Sequence, residues 1–262
     1  MSVFRDDVLA DKVALITGGG SGICLEITRK FMQHGCNTVI VSRSQERLDE
    51  AAKSLEAETQ GRCIPIAADV RDIEAVEAAV DKTLEAFGGL DILVNGAAGN
   101  FLCPAAKLSS NAFKTVLEID TLGTYNMSKA AFEKALKHSG GSILNISATL
   151  HYAGQALQVH PGVAKAGIDA MTRHLAVEWG GANIRVNAVA PGPIGDTEGM
   201  RRLMPPGMKE DLERRIPLKR FGRSEEIGDA ALFLSSDAAA WITGAILVVD
   251  GGSWMTTNNI WP

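Results

Sequence analysis

No stretch of apolar residues in the sequence approaches the length of a membrane span, and the opening "MSVFRDDVLADK" lacks the apolar core of a signal peptide. There is no surplus of basic residues: 26 Lys and Arg against 31 Asp and Glu leave a formal net charge of −5, which argues against nucleic acid as the main partner. Cysteine is scarce. Cys24, Cys36, Cys63 and Cys103 stand in no CxxC or other metal-ligand spacing, so they are expected to be reduced and mostly buried, with no metal site. Internal repeats and low-complexity linkers are absent, and the final "NNIWP" is not a peroxisomal address of the SKL type. The expectation is a soluble intracellular protein that binds a small molecule, with no nucleic acid and no membrane as partner.

What is present is a rhythm. Short apolar runs, "KVALIT" (12–17), "NTVIVS" (37–42), "CIPIA" (63–67), "DILVN" (91–95), "SILNIS" (142–147), "IRVNAVA" (184–190) and "AILVVD" (245–250), read as strands. They are almost continuously apolar, as strands covered by helices on both faces must be. Helical patterns lie between them at 22–34, 44–58, 72–87, 109–138, 155–180 and 224–236. This alternation predicts an α/β fold: a single-domain, Rossmann-type, doubly wound parallel sheet of seven strands covering 1–262. The segment 191–223 breaks the rhythm with prolines, glycines, Met200, Met204 and Met208 beside Leu203. It follows a strand's carboxyl end, so a mobile substrate lid over about 193–223 is expected.

The turn "TGGGSGI" joins the first strand to the first helix. Gly18, Gly20, Ser21, Gly22 and Ile23 are therefore expected to cradle a pyrophosphate at the helix N-terminus, where free N–H groups and the helix dipole favour negative charge. The second strand ends on Ser42 and Arg43, with Arg47 one turn on, where an acidic residue would have selected NAD. A guanidinium there suits a 2′-phosphate, so NADP(H) is the expected cofactor. Asp69 and Val70 are expected to border the adenine, and Asn95, Ala97 and Gly99 of "NGAAG" to let the cofactor pass close.

"TGGGSGI", "NGAAG", Lys165 on a helix after "ILNIS", "NIRVNAVAPGPI" and "DGG" occur in the order found in the short-chain dehydrogenase/reductase family, which the chain resembles over residues 10–254. Two departures stand out. The turn's third glycine is Cys24, which would set the first helix slightly farther from the sheet. The tyrosine that the family places four residues before Lys165 is Pro161, and its helical asparagine is Asp120. Loss of both with Lys165 kept, together with "AAGNFLCPAAKLSSNAFKTVLEID", "SATLHYAGQALQVH" and "APGPIGDTEGMRRL", resembles the branch of the family that reduces 2,4-dienoyl-CoA thioesters, its peroxisomal type especially.

That resemblance implies NADPH-dependent reduction of 2,4-dienoyl-CoA to 3-enoyl-CoA in unsaturated fatty acid β-oxidation. A ketoreductase protonates an alkoxide oxygen, whereas a dienoyl thioester takes hydride at Cδ and its proton at Cα. Asp120 is the residue expected to serve as the acid or to hold the donating water, with Lys165 beside it and on the nicotinamide ribose. An ordinary carboxylate beside a lysine is ionised at neutral pH, so the water is the preferred immediate donor. Tyr152 and His151 are rival acids, while His34, His138, His160 and His174 read as packing or surface residues. Ser147 and Asn145 end the fifth strand, where they could face substrate.

The resemblance also places substrate contacts at Arg43, Arg71, Phe101, Ser109, Ser110, Asn111 and Arg202, with Arg71 and Arg202 suited to CoA phosphates. It places Pro191, Gly192, Pro193, Ile194 and Thr197 over the nicotinamide and pyrophosphate, and it implies a homo-oligomer, commonly a tetramer. The compartment stays open between cytoplasm and peroxisome. Two alternatives stand beside this reading: another carbonyl or enoyl-thioester reductase that recruits Tyr152, and a non-catalytic NADP-binding protein.

Overall fold

A computed structural model describes residues 2–59, 61–204 and 207–256. The closing "NNIWP" and two prolines of the expected lid, Pro205 and Pro206, lie outside the described residues. The first half alternates strictly: β1 (Val13–Thr17), α1 (Gly22–Gln33), β2 (Asn37–Ser42), α2 (Gln45–Glu58), β3 (Cys63–Ala67), α3 (Ile73–Phe87) and β4 (Ile92–Asn95). A long helical stretch follows as α4 (Ser110–Leu117), α5 (Gly123–Ala131) and α6 (Lys137–Ser139), joined by π turns at Glu118–Leu122 and Phe132–Leu136. The remainder is β5 (Gly141–Ile146), α7 (Val159–Trp179), β6 (Ile184–Pro191), α8 (Glu198–Leu203), α9 (Lys209–Arg215), α10 (Ser224–Ser235) and β7 (Ile246–Val249).

The strands form one parallel sheet in the order β3-β2-β1-β4-β5-β6-β7, each within a residue of its expected bounds. Alternate residues face opposite cores. Leu15, Leu93, Ile143 and Val186 pack with α3, α5 and α7, while Ala14, Ile16, Ile92, Val94 and Leu144 pack with α1 and α10. Pro65, which cannot donate to a ladder, sits on the edge strand β3. The winding reverses between β1 and β4, which opens a crevice at their carboxyl ends. There Thr17 Oγ1 accepts from the backbone N–H of Gly96 at 2.9 Å and of Ala97 at 3.1 Å, fixing the β4 exit against β1.

Two helices differ from their sequence pattern. The helix expected over 155–180 begins at Val159, because Leu157 adopts φ 68°, a left-handed conformation that no helix continues through. Pro161 therefore falls in the first turn of α7, where its missing N–H leaves no intrahelical bond unmade. The helix expected over 109–138 is broken by its π turns, each a local widening that hydrophobic periodicity does not register.

Cys24 is buried on α1, and its sulfur occupies the space above Gly96 that any Cβ there would need. The extra volume on the helix is thus matched by a missing side chain on the facing turn. Burial pushes the Cys24 thiol up to about 12, so it behaves as a packing group. At the base of the lid segment, Ile194 bridges to Gly222, and Asp196 accepts from the Ser224 N–H at 3.1 Å and hydroxyl at 2.8 Å. Beside this clasp Glu226 pairs with Arg220 at 2.6 Å and accepts from the Arg223 N–H at 2.8 Å. The Arg220 hydrogen bonds are the main cause that lowers the Glu226 carboxyl to about 2.

Two predictions follow from these contacts. Gly96→Ala forces its methyl against Cys24 and is expected to destabilise the fold by roughly 1–3 kcal/mol. Adding Cys24→Ala should recover most of the loss in thermal melts; simple additivity of the two would contradict the contact. For Glu226, a folded-state carboxyl below its ordinary value stabilises fully above about pH 4.3 and loses that contribution as pH falls through about 2. The stability gap between the parent chain and Glu226→Gln should therefore be present at pH 7 and close between about pH 4 and pH 2. A gap unchanged at the acid end would refute it.

Candidate active site

A cavity of about 900 Å³ opens at the carboxyl ends of the strands. Gly18, Gly20, Ser21, Gly22 and Ile23 line it from the first turn, and Ser42, Arg43 and Arg47 from the end of β2. Asp69, Val70, Ala97 and Lys165 contribute to it, as do Pro191, Gly192, Pro193, Ile194 and Thr197 beyond β6. Gly18 has φ 72°, and a Cβ there would meet the Gly96 carbonyl oxygen at 2.9 Å. Helix capping distinguishes this turn from those that open α2, α3 and α4. Ser44, Asp72 and Ser109 accept from backbone N–H groups at the starts of α2, α3 and α4, whereas the Ser21 side chain caps nothing on α1. No acidic residue stands in the first turn of α1, which suits its N-terminus to an anion. Arg43 and Arg47 are exposed on the rim nearby. These residues fit a dinucleotide.

Asp120 and Lys165 meet at the inner end, where Lys165 lines the cavity and Asp120 lies behind its wall. Asp120 is 1% exposed and Lys165 7%, with Lys165 Nζ 3.2 Å from Asp120 Oδ2. Lys165 also donates to the Ile146 carbonyl at 2.9 Å, and the Gly99 N–H donates to Asp120 Oδ1 at 2.7 Å. Both neighbours of the carboxylate are donors, the arrangement that an acceptor-only ionised group calls for. Backbone geometry makes the meeting possible. Asp120 lies in the first π turn, and that turn is held to α7 where the Thr121 hydroxyl donates to the Ala164 carbonyl at 3.1 Å. Gly167 permits the crossing, since a Cβ there would already touch Thr121 at 3.0 Å. On the other side, a side chain at Gly123 would run into Val70.

The rival acids are engaged elsewhere. Asp169, buried on α7, accepts from Ser147 Oγ at 2.5 Å and Tyr152 OH at 3.2 Å, and His151 Nε2 lies 2.8 Å from it. Burial first, then the charge of Asp169, pushes the Tyr152 hydroxyl up to about 12. Neither Tyr152 nor His151 belongs to the cavity wall; the network ties the Thr149–His151 turn to α7 behind it.

Several expected contacts stand off the cavity. Asn95 is buried behind the wall, with its amide on Ser128 and Asn145 at 2.9 Å each, and Gly99 reaches the site only through Asp120. Asn145 in turn donates to Thr172 at 2.9 Å. Arg71 is folded onto Asp69 at 2.6 Å, and Ser109 caps α4 by accepting from the Ala112 N–H at 3.1 Å. Ser110, Asn111 and Arg202 are exposed outside the wall, and Phe101 packs on His160. Of the lid methionines, Met200 and Met204 line the cavity with Leu203, while Met208 points outward at the start of α9. Sequence reasoning missed Asn100, Gln158, Arg215, Trp254 and Thr256, all on the wall. None carries a local motif; the C-terminal pair arrives only through tertiary folding, where Thr256 donates to the Arg215 carbonyl at 3.0 Å. Among the described residues there is no cluster suited to a metal ion, and no helix is long and apolar enough to cross a membrane.

Asp169→Ala strands buried donors and is expected to cost about 3 kcal/mol, whereas Tyr152→Phe removes one bond worth about 1 kcal/mol. Urea titrations of both variants check this; equal losses would contradict the three-donor network.

Comparison with known proteins agrees with the geometry. A family model described as Enoyl-(Acyl carrier protein) reductase matches residues 18–253. The chain is 58% identical, over 98% of its length and 86% of the relative's, to the peroxisomal 2,4-dienoyl-CoA reductase [(3E)-enoyl-CoA-producing] of Danio rerio. It is 57% identical to the Rattus norvegicus protein of the same name, over 98% of this chain and 88% of that one. The solved structure of a citronellol catabolism dehydrogenase from Pseudomonas aeruginosa PAO1 superposes with a TM-score of 0.86 at 34% identity, covering 97% of this chain and 99% of the other. With its parallel seven-stranded sheet, glycine-rich turn and helical lysine, the chain belongs to the short-chain dehydrogenase/reductase family, whose members work with a nicotinamide cofactor.

Proposed function

We propose that this protein is an NADPH-dependent 2,4-dienoyl-CoA reductase, yielding 3-enoyl-CoA in the β-oxidation of unsaturated fatty acids. The observation that carries the reading is the buried Asp120–Lys165 pair in a site where Pro161 occupies the place of the family's tyrosine. The names of the relatives at 57–58% identity support it. Arg43 and Arg47 on the rim favour the 2′-phosphate of NADP(H) over NAD.

When bound, the reduced nicotinamide supplies hydride, which the dienoyl thioester receives at Cδ. The electron pair moves through the conjugated chain to the thioester oxygen, and protonation at Cα leaves the double bond between Cβ and Cγ. Lys165 contributes positive charge near the developing oxyanion and orients Asp120. Asp120 holds a water whose proton goes to Cα, and solvent replaces that proton. Met200, Leu203, Met204 and Phe221 give the segment 193–223 an apolar inner face, so it serves as the lid that excludes bulk water from the acyl chain.

The other reductase reading requires Tyr152 as acid, and its hydroxyl is held by Asp169 and made less acidic by burial. We place the enzyme in cytoplasm or peroxisome, as a homo-oligomer. Exposed Leu122, Tyr125, Val159 and Val163 give two mutually packed helical segments an apolar outer surface suited to a second copy.

Two assays test the reading. Loss of NADPH absorbance with 2,4-hexadienoyl-CoA should be rapid in the parent chain and fall by about 10²-fold or more in Asp120→Ala. Tyr152→Phe should keep activity within about threefold; the reverse pattern would transfer the proton work to Tyr152. Arg43→Ala with Arg47→Ala should raise KM for NADPH far more than for NADH, and equal changes would contradict the NADP assignment.

A further inference from the structure

The stretch "DGGSW" (250–254) takes no part in the chemistry above, yet it folds into a well-braced turn. Asp250 Oδ1 accepts from the Gly252 N–H and Oδ2 from the Trp254 N–H, each at 2.8 Å. Gly251 and Gly252 adopt φ 64° and 84°, and side chains there would meet Ile216 at 3.0 Å and Pro217 at 2.8 Å. The turn therefore lies close against the end of the segment 193–223. There the Leu218 N–H donates to the Gly251 carbonyl at 3.3 Å, and the Thr256 hydroxyl to the Arg215 carbonyl at 3.0 Å. What the turn brings to the cavity wall is Trp254, which is still 38% exposed.

A second support for the indole comes from α7. The Tyr152 ring stands edge-on to it, centroids 5.3 Å apart at 75°, and the His151 ring stands edge-on to Tyr152 at 4.4 Å and 72°. Both of these rings are anchored on one buried carboxylate. Asp169 Oδ2 accepts from the Tyr152 hydroxyl at 3.2 Å and lies 2.8 Å from His151 Nε2. Asp169 sits about one helical turn beyond Lys165 on the same helix. Trp254 is thus fixed both to the end of the segment 193–223 and to the helix that carries Lys165. An indole has few rotatable bonds, so once braced it is a stiff, flat apolar surface. Met200, Leu203, Met204 and Leu212, on the same cavity wall, are flexible by comparison.

We infer that Trp254 is a specificity-determining residue for the acyl chain, the rigid side of a slot whose adaptable side is the methionine and leucine face of the segment 193–223. This rests on the reading of the site as a dienoyl-CoA reductase and names what selects among its substrates. In a 2,4-hexadienoyl thioester a single methyl group follows Cδ, whereas a 2,4-decadienoyl thioester carries a pentyl chain there. The longer chain has far more apolar surface to lay along the indole, and each methylene so placed leaves water. Tyr152 touches no substrate; it is a positioning residue that acts through Trp254.

The test reads selectivity as the ratio of kcat/KM for 2,4-decadienoyl-CoA to that for 2,4-hexadienoyl-CoA on one sample, a quantity independent of the fraction of chains folded. Trp254→Ala should lower the ratio by at least about tenfold, and Trp254→Phe should recover most of it. Tyr152→Leu should lower it in the same direction, and adding that change to Trp254→Ala should lower it little further. A ratio unchanged or raised in Trp254→Ala, or a Tyr152→Leu effect that persists undiminished without the indole, would overturn the inference. A second readout needs no turnover. Decanoyl-CoA, which has no double bond to reduce, should change the tryptophan emission of the protein with NADP⁺, and Trp254→Phe should lose most of that change. Equal emission changes in the two proteins would contradict the contact. A parent chain that reduces neither dienoyl thioester but keeps a Trp254-dependent response to decanoyl-CoA would sink the proposed reaction and leave the acyl contact in place; one that does neither would overturn both.

Discussion

The contact on which the site depends is the ion pair between Asp120 and Lys165, because every element around it is shaped to bring two charges together out of water. Two ions so deeply buried are stable only when paired and further hydrogen-bonded. The Gly99 N–H and the Ile146 carbonyl supply the additional partners, one from the exit of β4 and one from the end of β5. The π turn sets Asp120 along its helix, and Gly167 lets α7 approach closely enough for Lys165 to reach it. Removing either ion strands the other in a dry place, so the pair is a constraint on the fold as well as a chemical group.

The same economy of space governs the cofactor side. Where the family resemblance puts a third glycine, Cys24 takes the room left by Gly96, so α1 still packs against the turn after β4. Arg71 closes onto Asp69, while Arg43 and Arg47 stand on the cavity rim. At the opposite end the segment 193–223 meets the cavity through methionine and leucine, adaptable side chains that suit an apolar chain of variable length. Contacts among Ile194, Asp196, Gly222 and Ser224 tie the two ends of this segment together.

Much of this was legible in the sequence, and the reasons are local. Strands such as "VALIT" and "ILVN" are apolar throughout because both faces are covered, so their bounds could be read within a residue. The glycine-rich turn, Asp120 and Lys165 were visible because each departs from or conforms to a fixed spacing. What could not be read were features created by neighbours distant in sequence. The π turn under Asp120, the left-handed Leu157 that delays α7, and the engagement of Asn95 with Ser128 have no periodic signature. Ser109, a candidate substrate contact by sequence, also caps α4, a role that its residue type alone does not reveal.

The central claim is that the proton goes to carbon, through water held at Asp120. The most direct measurement is turnover of 2,4-hexadienoyl-CoA in deuterium oxide with unlabelled NADPH, followed by NMR of the product. The account predicts a 3-enoyl thioester with deuterium at Cα and only protium added at Cδ. Deuterium at Cγ with the double bond left between Cα and Cβ would contradict it, because the proton would then have been delivered two carbons from the position this site is built to serve.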